Sequence, residues 1–438
     1  MTFTRRGLMA LSLALLPVPG RAETPPDLRA DLRAEVLHGW YRLVLELVRH
    51  TATYSPPVAS RAFAYVGVIA HEAQVGLVPG PLTLAGQLNG LAPLPAPAPG
   101  LDAATVLNAA LERAMADFFG NTGPMGQRAM AAMARDMGAK VAEGLAPEAV
   151  AAARAHGLAV AAHVFAWSQG DGGALVENMG FPLQYQGPEG PQYWVPTNTQ
   201  ALQQMPLLPG WGANRPFAVP VGQMCKAPAP PAFDTAPGSA FHDGAMAVYR
   251  TSQTLTEDQV QVARFWSDDP MLSPTPPGHW VSILCQIATR DRMPAERMAA
   301  ALAVLGVAVA DAFIGCWQEK FAHNLIRPVT YIKRHIDPKW EPLPITPPFP
   351  EYPSGHSVQS GAAEVALTAL FGADFAFDDA THEDDGLAVR SFASFAEAAE
   401  EAAVSRLYGG IHFPFGNAGG LVQGRCIGAH AAALRVLA

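Results

Sequence analysis

Residues 299–317 are almost wholly apolar, interrupted only by Asp311, and they run directly into Lys320. A helix that is hydrophobic around its whole circumference has two stable places, the interior of a bundle or the interior of a membrane. The small residues in this one, and its continuation into a lysine, favour the central buried helix of a bundle. Other segments supply the helices to surround it. Residues 27–50 place Leu32, Val36, Trp40, Leu43 and Leu47 in alternating steps of four and three, which keeps one face inward. The same reading predicts helices over 60–75, 102–119, 124–143 and 147–168, from about Trp280, and over 358–371, 390–408 and 416–436. Hydrophobic residues make up 50% of the chain, charged residues only 15%, and alanine is abundant. That composition suits packed helices better than sheets, so the expected fold class is all-α.

Two irregular stretches break this pattern. Residues 170–240 are rich in Gly and Pro with little periodicity and divide the chain into halves, 23–240 and 241–438. So long an excursion reads either as a covering lid or as a linker. Residues 337–353 are dense in proline and must form an extended loop that delivers Ser354 to the helix after it. The opening residues stand apart from the fold. Arg5 and Arg6 precede an apolar run through Leu16, and Gly20-Arg21-Ala22 offers small residues for cleavage. Residues 1–22 therefore read as a signal peptide of the twin-arginine type, which implies export to the periplasm or medium and no membrane span after its removal.

A net charge of −9 gives no reason to expect a nucleic-acid partner. Cys225, Cys285, Cys316 and Cys426 lack metal-ligand spacing, assign no disulfide, and in the case of Cys316 lie in a buried run. His71 and Glu72 read as satisfied core residues, and His382 with the acids of 378–385 as a solvated loop rather than a metal site.

Against this acidic background three short pieces concentrate cations and histidines. Lys320 and Arg327 lie seven residues apart, two turns of a helix, so both would leave one face, with Pro328 ending the helix close to Arg327. Ser354-Gly355-His356 follows the proline-rich loop and opens an apolar helix, whose free N–H groups receive oxyanions. Gly355 lets an anion approach its amide closely. Arg406 and His412 flank a Gly409-Gly410 break. Together these residues suit one tetrahedral oxyanion.

The three pieces, K-x6-R-P, P-S-G-H and S-R-x5-H in that order, resemble the signature shared by the vanadium-dependent haloperoxidases and the type 2 phosphatidic acid phosphatase (acid phosphatase) superfamily. The resemblance is close over 260–430 and only general before that. It implies two packed helical bundles with the site at the end of the C-terminal one. It also implies vanadate as cofactor, or phosphate in the same place, held by Lys320, Arg327, Ser354, Gly355 and Arg406, with His412 as the vanadium ligand. In the chloroperoxidase members, residues matching Trp317 and Phe349 line the halide side, and the residue matching Asp269 pairs with the motif arginine, here Arg406. Those members carry an aspartate four residues after the last histidine, where this chain has Gly416. The group that orients His412 is thus unassigned, with Asn417 a partial substitute.

The same cage suits two chemistries. A haloperoxidase would take hydrogen peroxide, a halide and a small organic acceptor, with His356 moving protons, Lys320 polarising peroxide and His412 on the metal. A phosphatase would use His412 as nucleophile and His356 as the acid for the leaving alcohol. The apolar pair Trp317 and Phe349 favours halide oxidation, since nothing evident would recognise a phosphomonoester's alcohol. A silent binding protein would need neither histidine.

Overall fold

The computed structural model describes residues 28–176, 181–182, 184–197 and 205–438; the expected signal peptide lies outside them. The first half contributes α1 (Leu28–Arg49), α2 (Pro56–Glu72), α3 (Ala103–Phe118), α4 (Pro124–Ala142), α5 (Pro147–Ser168) and the single turn α6 (Gly173–Val176). The second contributes α7 (Ala240–Gln253), α8 (Glu257–Phe265), α9 (Thr275–Arg290), α10 (Ala295–His323), α11 (Pro328–His335), α12 (Gly355–Phe371), α13 (Phe395–Tyr408) and α14 (Pro414–Ala432). Their starts follow local chemistry. Asp102, Ser239 and Ser394 each accept a hydrogen bond from a first-turn amide, and Thr256 forms a reciprocal cap with Gln259. One antiparallel pair, β1 (Phe377–Asp379) with β2 (Arg390–Phe392), occupies the start of the segment expected to be helical from 390.

α10 is the axis of the molecule. It is apolar enough to cross a membrane, and so by length and composition is α5, yet every residue of the apolar window of α10 is buried inside the bundle. It crosses α2 at backbone contact, since a Cβ added at Gly67 would lie 2.7 Å from the Leu302 carbonyl oxygen. α12 and α14 approach as closely, a Cβ at Gly424 falling 2.0 Å from the Val358 carbonyl oxygen. Small residues at these crossings let helices pack on their main chains, where dispersion contacts are densest. Asp311, the break in the apolar run 299–317 of α10, accepts hydrogen bonds from the backbone amides of Phe217, Ala218 and Val219. Burial raises its pKa to about 6, although those three amides oppose the shift.

Those bonds show what the irregular excursion does. Its described parts bind both halves of the chain: Asp171 accepts from Arg61 Nε and Tyr65 Oη, Asn89 Nδ2 donates to the Pro216 and Val219 carbonyls, and other parts lie on the second half. Trp194 N donates to Asn324 O and Ile326 N to Gln192 O. Leu207 N donates to Pro348 O and Leu207 O accepts from Trp317 Nε1. Cys225 forms a disulfide with Cys426 on α14, while Cys316 is free and buried. The segment is a packed cover rather than a bare tether.

Candidate active site

Lys320 and Arg327 reach the site from different elements. α10 stops at His323, with Asn324 in the left-handed conformation, and Arg327 stands at the N-cap of α11 in an extended conformation. The expectation of one shared helix face is therefore corrected: Pro328 disfavours a helical conformation at Arg327, and the chain turns three residues earlier. Convergence survives through Phe349, whose ring lies 5.1 Å from Lys320 Nζ and 5.0 Å from the Arg327 guanidinium carbon. Phe349 also accepts from Arg327 Nε through its carbonyl oxygen at 2.9 Å. The ring that sequence assigned to a halide wall is thus equally a seat for the two cations. Trp317 packs against it with ring centroids 4.9 Å apart.

Lys320 is fully buried and its ammonium donates to three backbone carbonyls, of Pro350 (3.0 Å), Glu351 (2.9 Å) and Pro353 (2.5 Å). These partners come from the proline-dense loop, which has carbonyls to spare because proline lacks the N–H that would pair with them. Burial lowers the Lys320 pKa to about 8 and those of Arg327 and Arg406 to about 10. Buried cations in excess of anions are what a site prepared for an oxyanion requires.

Ser354 caps α12 through a bond from Ser357 N, so Gly355 begins the helix, with only Trp317 and Cys316 within 4 Å of where its Cβ would be. Arg406, in the last turn of α13, donates to Ser405 Oγ and to the Ala263 carbonyl. Among the described residues no hydrogen bond or ion pair joins it to Asp269, which instead accepts from Ser267 Oγ at 3.4 Å. Asp269 acts on Arg406 only as a nearby charge, behind Asp268. The expected Asp269–Arg406 pair is corrected accordingly.

His412 receives its orienting carboxylate from Glu351. Its Nδ1 lies 2.9 Å from Glu351 Oε1, which also accepts from Phe413 N at 3.0 Å. Glu351 is held in turn by its backbone N–H, which donates a hydrogen bond to the Leu325 carbonyl. With a proton on Nδ1 directed to the carboxylate, the lone pair is left on Nε2, 3.1 Å from Arg327 Nη1. Burial, followed by Arg327 and Lys320, keeps His412 neutral well below its ordinary pKa. Burial also lifts Glu351 to about 7, against the pull of Lys320 and Arg327. Asn417, the substitute that sequence offered, makes no bond to His412, and its Oδ1 is buried without a partner. Glu351 escaped the sequence reading because it lies in a loop without periodicity, 61 residues from its partner.

His356 is neutral as well, its pKa pushed well below the ordinary value by burial and then by Arg406. One ring nitrogen meets the Trp266 backbone, and Nε2 is buried with no hydrogen-bond partner. Arg327 Nη2 is likewise buried and unpaired. Such orphans are costly, and a bound oxyanion would satisfy both kinds, a donor and a proton-exchanging ring. The walls of a small cavity beside them include Pro276, Phe313, Trp317, Phe349, His356 and His412, and among the described residues the two histidines are its only titratable walls.

The segment 378–385 is the expected solvated loop only in part, for Asp378, Glu383, Asp384 and Asp385 are exposed. Asp379 and His382 are buried, and they join Asp268 and His279 in one hydrogen-bonded cluster adjoining His356. His71 and Glu72, by contrast, are spent locally on Leu82 O, Thr83 and Leu84 N, as expected of core residues.

Comparison with known proteins agrees with this geometry. A family model described as the second helical-bundle domain of VCPO matches residues 300–436. Vanadium chloroperoxidase of Curvularia inaequalis is 30% identical over 123 residues, a match covering 22% of this chain and 20% of that protein. The chain thus spans about a fifth of that curated relative. The crystal structure of the first bacterial vanadium-dependent iodoperoxidase superposes with a TM-score of 0.83 at 37% identity, covering 92% of this chain and 97% of the other. A bacterial vanadium-dependent chloroperoxidase in holo form superposes with a TM-score of 0.67 at 16% identity, covering 88% and 94%, a likeness of fold.

Proposed function

The chain belongs to the vanadium-dependent haloperoxidases, a family of peroxidase-type enzymes, and from that membership we propose that it oxidises halide with hydrogen peroxide, with iodide preferred. The observation that carries the reading is the wall of the cavity beside His356 and His412. Trp317, Phe349, Phe313 and Pro276 offer no group to bind the alcohol of a phosphomonoester. A small polarisable halide needs no such group. Likeness to an iodoperoxidase over 97% of its length supports iodide, which is also the most easily oxidised of the common halides. Lys320 points the same way, since an ammonium already shared among three carbonyls polarises a bound oxidant less than a free one would.

The residues present fit vanadate. Arg327, Arg406, Ser354, the Gly355 amide and the Lys320 charge would hold its oxygens, and His412 Nε2 would be the metal ligand. When bound, vanadate would supply the Lewis acid that activates peroxide toward halide. The chain's own part is to fix His412 in one tautomer through Glu351, to keep water from the halide path with Trp317 and Phe349, and to pass a proton at His356 Nε2. A small organic acceptor would meet the hypohalous acid after release. Export accords with the Cys225–Cys426 disulfide, a bond that persists in oxidising compartments.

The test is direct. Vanadate-loaded protein should oxidise iodide, and bromide more slowly, with peroxide at mildly acidic to neutral pH. Phosphomonoester turnover with no halide oxidised would replace this reading by the phosphatase one.

A further inference from the structure

Behind His356 a chain of buried ionisable groups leads to the surface. His356 Nε2 is 4.0 Å from Asp268 Oδ2, a gap that one water or a small rotation closes. The other oxygen, Asp268 Oδ1, is 3.1 Å from His382 Nε2. His382 Nδ1 lies 3.1 Å from Asp385 Oδ2. Asp385 is about a quarter exposed and pairs with Arg49 on α1. A side branch fixes the place of Asp268 in this path. His279 Nδ1 meets both oxygens of Asp268 at 3.0 Å and its Nε2 meets Asp379 at 2.7 Å, while the Trp266 ring stacks on it at 4.5 Å.

Asp268, His279 and His382 could be taken for a metal site, since one ligand atom from each lies within 4.8 Å of the others. Their hydrogen bonds argue otherwise. Each imidazole has a carboxylate at both nitrogens, so both nitrogens carry protons and neither offers a lone pair. Burial alone would lower the pKa of His279 and His382, but Asp268 with Asp379 or Asp385 raises both. Asp268 stays ionised between them. Asp269, Arg406 and Arg49 are the other charges that face the cluster.

Resting on the haloperoxidase reading, we propose that Asp385, His382 and Asp268 form a proton relay that recharges His356 Nε2 from solvent once per turnover. The reaction needs such a supply. When a halide takes one oxygen of hydrogen peroxide, the halide loses two electrons, the O–O bond breaks, and the second oxygen leaves as hydroxide. One proton must be delivered to give hypohalous acid and water. In the relay doubly protonated His382 gives its Nε2 proton to the Asp268 carboxylate, the neutral acid so formed turns and gives that proton to His356 Nε2, and a flip of the now neutral His382 ring presents its remaining N–H to Asp268 and its bare nitrogen to Asp385, where a proton from solvent refills it. Half-turns of the Asp268 carboxyl and the His382 imidazole only exchange their two oxygens or two nitrogens, so the hydrogen bonds that hold each group form again. These are positioning and relay residues, not catalytic ones, for none reaches the cavity.

The test uses the full-length, vanadate-loaded protein, with iodide oxidation expressed per bound vanadium. His382→Gln should keep bound vanadium and lose roughly 10-fold or more in rate, with the loss growing as pH rises and protons become scarce. Added imidazole, a mobile proton carrier, should restore part of that rate. Asp385→Asn, at the surface and mild for folding, should show a smaller loss of the same pH dependence. Wild-type rates per vanadium in both variants would overturn the relay, and so would a loss that is equal at every pH and untouched by imidazole. If His382→Gln does not fold, Asp385→Asn decides alone. A wild-type protein that oxidises no halide overturns instead the functional reading, and with it the relay's task.

Discussion

Glu351 and Gly416 share one space. A Cβ added at Gly416 would lie 2.2 Å from Glu351 Oε1, the atom that holds His412. The missing side chain at 416 and the carboxylate at 351 are therefore a single feature, in which an orienting acid reaches the histidine from a loop rather than from the helix that follows it. Gly416→Ala should push Glu351 aside and weaken vanadate binding, and Glu351→Gln should do the same without steric change. About 10- to 100-fold in each is the expected loss for an outer partner of a metal-binding histidine. Equilibrium dialysis with vanadate at fixed salt measures it, and unaltered affinity in Glu351→Gln would remove Glu351 from the site.

His412 and His356 should separate on mutation. If His412 Nε2 is the metal ligand proposed above, His412→Ala should abolish vanadate binding and halide oxidation together. His356→Ala should retain most of the vanadate and lose turnover by roughly 10²- to 10⁴-fold. Bound vanadium per chain, measured beside the rate, distinguishes the two. Equal metal loss in both variants would contradict the assignment.

Much of this site is visible in sequence because it is local. The helix N-terminus at Gly355 and the spacing of Lys320, Arg327, Arg406 and His412 can be read from neighbouring residues, as can α10 from its all-round apolarity. What could not be read is long-range pairing without a pattern. Glu351 meets His412 across 61 residues, and His382 meets Asp268 across 114. Acidic stretches usually face solvent, so the burial of Asp379 and His382 ran against composition. Gly416 was itself the available signal, since a position lacking an expected acid leaves room for one from elsewhere.

Lys320 gives the site a pH dependence of definite sign. Burial holds it at about 8. A bound oxyanion favours the charged form, so above about pH 8 binding must take up a proton and affinity should fall, by up to about tenfold per pH unit. The effect on stability is opposite in direction. Between about 8 and the ordinary value of 10.5 the unfolded chain binds more protons than the folded one, so this residue's contribution to stability rises with pH. Molybdate, a tetrahedral anion that stays ionised across the range, is the probe for the first effect. Lys320→Met should bind it more weakly with no such slope, and a slope that persists would place the titration elsewhere.

Phe349→Ala should weaken anion binding as well as alter halide use, because the ring seats Lys320 and Arg327. Trp317→Ala, one ring further away, should alter halide saturation and leave vanadate affinity nearly unchanged. Arg327→Lys should lose affinity despite keeping its charge. Lysine cannot reach the Phe349 and Ile411 carbonyls and His412 at once, as the guanidinium does. Vanadate titrations of the three variants, compared with iodide saturation curves, check all of this.

The bond between Cys225 and Cys426 has a topological consequence. Every residue assigned to the cage, from Lys320 to His412, lies between these two cysteines, which are 201 positions apart, so the whole site is strung on one closed covalent ring. The proline-dense stretch within that ring exposes Leu343 and Ile345 to solvent. A protease that cuts there would open the loop yet release nothing, and the nicked protein would migrate as one molecule until a thiol was added.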